Sequence, residues 1–374
     1  RGRPRGIRRR CCARPTAGCG CWTPSRARTE RLRLLMREDA PPAELDSFER
    51  AYAVSRITLR RLLLAGLDDV VHFGKEFTRY KQNPNGTVTA VFADGTTATG
   101  DLLVGADGAR SRVRRQLLPR AQHHQALGVG IGGKFPLGDE AAWLPQEMTS
   151  TKNMVLPQRD FLFTAVFRRQ EDSATIAERL GDPLRAAGLH PERIIQDTQD
   201  DDYIMWAYVA HPHTLPVDVT GRRGQQLRDL VASRLAGWHP DLHRLITHTP
   251  SDTIEQFDFT AAARVKPWPT TNVTLLGDAI HAMPPVGGLG GNAALSDANA
   301  LRRALIALTS EQQLLPALAG YERAMLKNGF AAVRAATLYL RLATLRSRTL
   351  RAAARTFFRL CGAVPPLRRA VFAD

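Results

Sequence analysis

No stretch of this 374-residue sequence approaches the roughly 18 consecutive apolar residues of a membrane span, and the N-terminus has no apolar core of a secretory signal. A methionine is missing from position 1. The chain opens on Arg1 and reads as processed, or as a fragment of something longer. Cysteine is scarce: of five, four sit at Cys11, Cys12, Cys19 and Cys21, and Cys361 stands alone. Zinc sites are usually built from two spaced pairs, and a C-C…C-x-C cluster among arginine and proline is not that arrangement. So little cysteine reads as a reduced intracellular chain, with the cytoplasm as the expected location. His239 and His243 stand at i and i+4, but Pro240 lies between them and the glutamate of a zinc protease is missing. A solvated helix end is the expectation there. No metal site is expected, no Ser-His-Asp set is found, and catalytic residues stay unassigned.

Acidic residues are nearly absent from both ends. Residues 1–37 hold twelve arginines and a single acid, and residues 341–370 hold eight arginines and none. The formal net charge of +16 therefore lives in the ends, and the body from 38 to 340 is close to neutral. A nucleic-acid role would belong to the tails, and no specific nucleic acid is expected of the body. The C-terminal tract alternates apolar residues with arginine, a pattern that suits an anionic membrane surface. The favoured reading is a terminal helix with Leu and Phe packed inward and Arg outward.

A dinucleotide fingerprint in its proper context is also missing. Gly128-Val-Gly130-Ile-Gly-Gly133 fits G-x-G-x-x-G by letters alone. Lys134-Phe-Pro-Leu-Gly138 follows where a helix should begin, and Asn153 sits where the ribose-binding acid should be. A glycine-rich strand is the expectation.

What is present falls into five stretches. Residues 1–28 have no helical or strand period and read as a disordered or aberrant Arg/Cys-rich segment. Residues 29–120 read as the first part of one domain: a helix over 55–67, a β-meander with turns at 83–86 and Asp94-Gly95, then a strand–turn–helix. Residues 121–255 change texture to aromatic-bearing strands and a helix over 222–238, a second domain inserted into the first. Residues 256–330 return to the first domain, with a buried strand at 272–278 and a helix over 293–308. Residues 331–374 continue as basic helices. The fold class is α/β, mixed with α+β.

Two junctions carry chemistry. In "LLVGADGARSRVR" (102–114) a buried strand ends at Gly105-Ala106, Asp107-Gly108 turns the chain, and a helix opens at Ser111. In "LLGDAIHAMPPVGGLGGN" (275–292) a strand ends at Gly277-Asp278, two prolines stiffen the exit, and four glycines follow. Gly287, Gly288, Gly290 and Gly291 would let backbone lie against a flat ligand. A helix from Asn292 would aim its positive end at that ligand.

Together these motifs resemble the class A FAD-dependent monooxygenases, the para-hydroxybenzoate hydroxylase-like aromatic hydroxylases. Residues 107–114 match that family's DG motif, and 277–292 its GD motif, P-x-x-G-x-G-x-N included through Pro285, Gly288, Gly290 and Asn292. The segment around Arg56 is similar to the one where the family places an arginine near the flavin. The resemblance covers roughly residues 29–340. It implies an FAD-binding Rossmann-like domain in two parts, 29–120 and 256–330, around an inserted β-sheet substrate domain, with a C-terminal helical tract. It implies that Asp278 binds the ribityl chain of FAD, that Gly290, Gly291 and Asn292 face the pyrimidine end of the ring through backbone amides, that Gly288 belongs to the same cofactor site, and that Asp107 and Gly108 shape the pyrophosphate and nicotinamide side. It further implies NADPH or NADH as reductant, O2 as co-substrate, and a small apolar or aromatic substrate. A flavin oxidase or halogenase would share this fold.

One departure stands out. The family's opening strand, G-x-G-x-x-G loop and helix, which hold the ADP half of FAD, are absent from this sequence, so the Rossmann-like domain is incomplete. A second reading follows: a non-catalytic, degenerate flavin fold whose Arg-rich ends bind nucleic acid or anionic membrane.

Overall fold

The computed structural model describes residues 19–23, 33–37, 63–121, 125–150, 152–155, 160–168, 202–210, 219–286, 288–310 and 313–344, with isolated positions between them. In chain order the elements are β1 (Cys19–Thr23), β2 (Arg33–Arg37), β3 (Phe77–Gln82), β4 (Val88–Phe92), β5 (Thr97–Gly100), β6 (Leu103–Gly105) and α1 (Arg112–Leu117). Next come β7 (Gln125–Pro136), α2 (Gln146–Ser150), β8 (Lys152–Val155), β9 (Phe161–Phe167), β10 (Tyr203–Ala210), α3 (Gln225–Arg234) and α4 (Pro240–Thr247). The last described elements are β11 (Glu255–Ala261), β12 (Val273–Leu275), α5 (Asp278–His281), α6 (Leu289–Ile306) and α7 (Leu314–Ala343).

The described strands form three sheets. The largest runs β11-β7-β10-β9-β8-β1-β2, the meander β3-β4-β5 stands by itself, and β12 pairs with β6. The meander follows the turn chemistry read from sequence, with Asn83–Gly86 and Asp94-Gly95 at its two reversals. Cys19–Thr23 lies in the stretch that showed no period, yet it forms a strand parallel to β8 and antiparallel to β2. A five-residue strand paired on both sides is held by its backbone more than by an apolar pattern, so periodicity gave no signal. Of the helix expected over 55–67, only Leu59, Arg60, Leu63 and Leu64 are described as helical.

The glycines of 128–133 lie in the long strand β7, as expected. Their purpose is close packing. A Cβ on Gly130 would come within 2.2 Å of the Phe257 ring, and one on Gly132 within 2.8 Å of the Trp206 carbonyl. The bare backbone lets the Phe257 ring from β11 lie flat over the sheet.

The two faces of the large sheet differ. One face packs Ile131, Ile204, Trp206, Tyr208 and Leu162 against α3 and α4, as a sheet with helices on one side. Within it the buried Tyr208 hydroxyl donates to Asp160, which also receives Arg234 Nη2 at 2.9 Å. Burial, reinforced by the Asp160 charge, pushes the tyrosine upward from its ordinary pKa. The other face presents Phe161, Val209 and Phe259, with Phe163, Phe257 and Met154 beside them. Val286, from the loop before α6, and Leu340 of α7 close on that face.

His239 departs from the sequence reading. It is 8% exposed and caps α4, its Nδ1 accepting the Asp241 N–H at 3.3 Å. Pro240 occupies the first helical position, where its missing N–H costs nothing, so the residue ahead of it becomes the cap. The described end of α7 also differs from the expected packing. Phe330, Val333, Ala336 and Leu340 face inward, while Leu338, Tyr339 and Leu342 are about half exposed. The buried set occupies one stripe of the helix, and the exposed three stand roughly 100–200° round from it. No described helix is long and apolar enough to cross a membrane.

Candidate functional site

The short parallel pair β6–β12 brings the two motifs together. Leu103, Val104 and Gly105 stand opposite Val273, Thr274 and Leu275. Both chains leave the pair at the same edge, one into Asp107-Gly108 and the other into Gly277-Asp278. In α/β proteins, ligands bind outside the C-terminal ends of the parallel strands. Gly105 makes the junction tight: a Cβ there would meet Leu275 Cδ2 at 2.7 Å and Val113 at 2.8 Å. The strand of the GD motif is fully buried, at Val273, Thr274 and Leu275 alike.

Asp107 folds back onto the helix it precedes. Its Oδ2 accepts the Arg112 N–H at 2.7 Å and the Val113 N–H at 3.3 Å. Ser111 caps the same helix, with Oγ accepting the Arg114 N–H at 2.8 Å. Gly108 sits at φ +73, and a Cβ there would meet nothing within 4 Å. Arg114 joins the two motifs. This side chain is 4% exposed, and its guanidinium donates to the Ala279 carbonyl at 2.7 Å and the Ala109 carbonyl at 3.0 Å. Burial lowers its pKa and the nearby Asp107 charge opposes that shift.

The second motif opens with Gly277 at φ +61 and ψ −138, a conformation that glycine alone adopts without strain. Asp278 follows as the first residue of α5, exposed at the edge. α6 begins at Leu289, three residues before the expected start at Asn292, with Gly288 in the left-handed conformation as its N-cap. Gly288 brings no side-chain cap, and the first turn carries no acid. A helix leaves its first four N–H groups without intrahelical partners. Here those groups belong to Gly288, Leu289, Gly290 and Gly291. The early start has a physical cause: the positive φ of Gly288 lets the chain enter the helix at once, and the glycines after it leave the first turn bare. A Cβ on Gly291 would meet nothing within 4 Å, and one on Gly290 only Met283 at 3.6 Å. The Asn292 side chain turns back to its own helix, donating to the Gly288 carbonyl at 3.3 Å.

Of the residues singled out from sequence, Asp107, Gly108, Asp278, Gly288, Gly290, Gly291 and Asn292 lie around these two adjacent turns and the start of α6. Arg56 lies outside the described residues. Sequence reasoning missed His281 and Asp297, a buried pair whose Nε2 and Oδ2 stand 2.6 Å apart. It also missed Glu322, a buried α7 carboxylate accepting from Thr270 Oγ1 at 2.6 Å and Thr274 Oγ1 at 2.9 Å. His281 sits inside the motif and was visible as a letter, but its partner is 16 residues on, and only the packing of α6 behind α5 makes them neighbours.

The arrangement fits a flat, electron-rich ring with a polyol tail. The uncapped, acid-free start of α6 supplies donors and positive potential, the glycines supply bare backbone, and Asp278 supplies a hydroxyl acceptor.

Comparison with known proteins gives the same outline. Residues 217–336 match the FAD binding domain family. A dual O-methyltransferase/FAD-dependent monooxygenase of Phaeosphaeria nodorum is 31% identical over 299 residues, covering 72% of this chain and 31% of that protein. The FAD-dependent urate hydroxylase of Mycolicibacterium vanbaalenii is 26% identical over 297 residues, covering 78% of this chain and 62% of that one. The chain thus spans about a third of the dual-function relative. Among solved structures, a protein of Photorhabdus luminescens assigned as an FAD-containing monooxygenase superposes with a TM-score of 0.72 at 29% identity, over 89% of this chain and 81% of that one. The DG and GD turns on adjacent strands, the FAD binding domain match and these relatives together support the resemblance of this chain to the class A-like FAD-dependent monooxygenases.

Proposed function

We propose that this chain binds FAD at the β6–β12 edge and serves as an FAD-dependent monooxygenase that hydroxylates a small apolar or aromatic substrate, with NADPH or NADH as reductant. The carrying observation is the convergence of Gly277-Asp278 and the uncapped N-terminus of α6 beside the Asp107 turn. When bound, FAD would supply reduction by a nicotinamide and activation of O2.

The protein's part is position, charge and dryness. Asp278, exposed at the edge, would accept hydrogen bonds from the ribityl hydroxyls. The free N–H groups of Gly290 and Gly291, with Asn292 next to them, would face the pyrimidine end and stabilise negative charge there, since helix dipole and free amides act together. Asp107 holds the opposing turn through the Arg112 and Val113 amides, and Arg114 fixes the spacing between the turns. The substrate would lie against the Phe161, Phe163, Phe257 and Phe259 face of the large sheet, which meets the cofactor loop at Val286. Phe257 and Phe259 stand with ring centroids 5.4 Å apart at 46°, a wall suited to an aromatic partner. Such a wall excludes water from the reacting atoms.

Titration with FAD followed by flavin absorbance, then NAD(P)H consumption with and without aromatic compounds, tests this. The expected result is a yellow protein whose NAD(P)H consumption rises with substrate. Asp278→Ala should weaken FAD binding by about tenfold or more, the worth of a charge-assisted hydrogen bond. A folded chain that stays colourless after incubation with FAD overturns the reading.

A further inference from the structure

Asp297 lies two turns into α6, on the helix whose first turn carries Gly290, Gly291 and Asn292. It is 4% exposed. Its Oδ2 accepts the Gly277 N–H at 3.0 Å and stands 2.6 Å from His281 Nε2. Gly277 opens the GD turn, and His281 ends the short helix that follows. One carboxylate oxygen therefore holds both ends of the segment that presents Asp278, and fastens them to the helix behind.

The imidazole is itself held from a third element. It rests on Gly329 of α7, where a Cβ would approach ring atoms to 2.1 Å. His281 is wholly buried, and its Nδ1 has no hydrogen-bond partner. A buried polar atom left unpaired costs about 1–3 kcal/mol. A residue needed only to fill that space would be cheaper as Leu or Met. The polar ring is kept, and its one partnered nitrogen is directed at Asp297. Asp297 and Gly329 also line a cleft of about 260 Å³ together with Leu289 and Asn292, so the anchor sits beside the helix start proposed to meet the flavin.

We propose that Asp297 and His281 are positioning residues: they fix the Gly277–Asp278 turn in the geometry that receives the flavin. Neither touches the cofactor in this scheme. The proposal rests on the FAD reading above. Asp297→Asn weakens the anchor by removing the charge that both donors share. Gly329→Ala attacks it from the other side, displacing the imidazole without altering the carboxylate.

The test uses the full chain and two readouts. Hydrogen exchange without cofactor reports on the peptide spanning 274–284, and titration gives the FAD dissociation constant. Both variants should exchange faster in that peptide and bind FAD about tenfold more weakly, the loss expected for a charged hydrogen bond. Exchange elsewhere in α6 and α7 should stay as in wild type. A merely structural role predicts the reverse: faster exchange throughout α6, α7 and β12, with FAD affinity of the folded protein unchanged. Local exchange and FAD affinity within twofold of wild type in both variants overturn the proposal. If Asp297→Asn does not fold, Gly329→Ala carries the same comparison from a different helix. A wild-type chain that binds no FAD overturns the function proposed above and the cofactor half of this one. The exchange arm still decides the anchor by itself.

Discussion

At Gly130 a single methyl group has nowhere to go, because the Phe257 ring would lie 2.2 Å from it. Gly130→Ala should therefore destabilise the chain by about 1–3 kcal/mol, the usual cost of overpacking, read as a lower urea midpoint. Gly291→Ala meets open space and should cost the free chain little, yet weaken FAD binding if the ring lies there. Glu322 offers a pH test. Burial raises its carboxyl pKa, although the Thr270 and Thr274 hydroxyls pull the other way. A carboxyl raised on folding contributes stability below its unfolded pKa and loses it as pH rises through the folded value. Glu322→Gln should thus be more stable than wild type near neutral pH, with the difference vanishing in acid. Thermal melts across pH would show it, and a difference that grows in acid would reject it. The residue scale is also where the sequence was most legible. Asp107, Gly108, Asp278 and Gly288 were marked by their neighbours in the chain, and the structure gathers them at two adjacent turns.

Between elements, the decisive link is Arg114. It leaves α1 and donates to the Ala279 carbonyl in α5, so the DG helix is fastened to the GD turn. Arg114→Met keeps length and volume but leaves those carbonyls unpaired in a buried site. A loss of about 2–4 kcal/mol is expected, as hydrogen bonds from a buried charge are lost, together with weaker flavin binding. Urea unfolding and FAD titration on the same variant check both, and a variant as stable as wild type would show that the link does not hold the turns. The start of α6 was misplaced by three residues at the sequence level, since glycines argue against helix in any propensity scale. The structure shows why they are tolerated: the left-handed Gly288 starts the helix, and packing of Leu301 and Asp297 holds it thereafter.

For the whole molecule, the site proposed at the β6–β12 edge corresponds to the ring and ribityl half of a flavin cradle. The sequence carries no fingerprint for the adenosine half in its proper strand–helix context. Riboflavin should therefore raise the melting temperature and ADP should not. A ligand at a hundred times its dissociation constant stabilises by about 2.7 kcal/mol, enough for a shift that thermal scanning resolves. A shift by ADP equal to that by FAD would show that the adenosine half has its own site on this chain.

Parts whose signals are local could be read directly from the residues. The meander turns, the glycine-rich strand β7 and both motif junctions follow from backbone chemistry written within a few residues. Helical periodicity also marked α3, which buries one face, and alternating aromatics marked β9 and β10. Which parts meet emerges from the folded chain alone. Pairing β6 with β12 joins segments about 170 residues apart, and nothing local in either strand names its partner. The same holds for His281 with Asp297, and for Arg114 with Ala279. Contacts of that kind are set by how buried faces close on one another, a global condition that no window of the sequence contains.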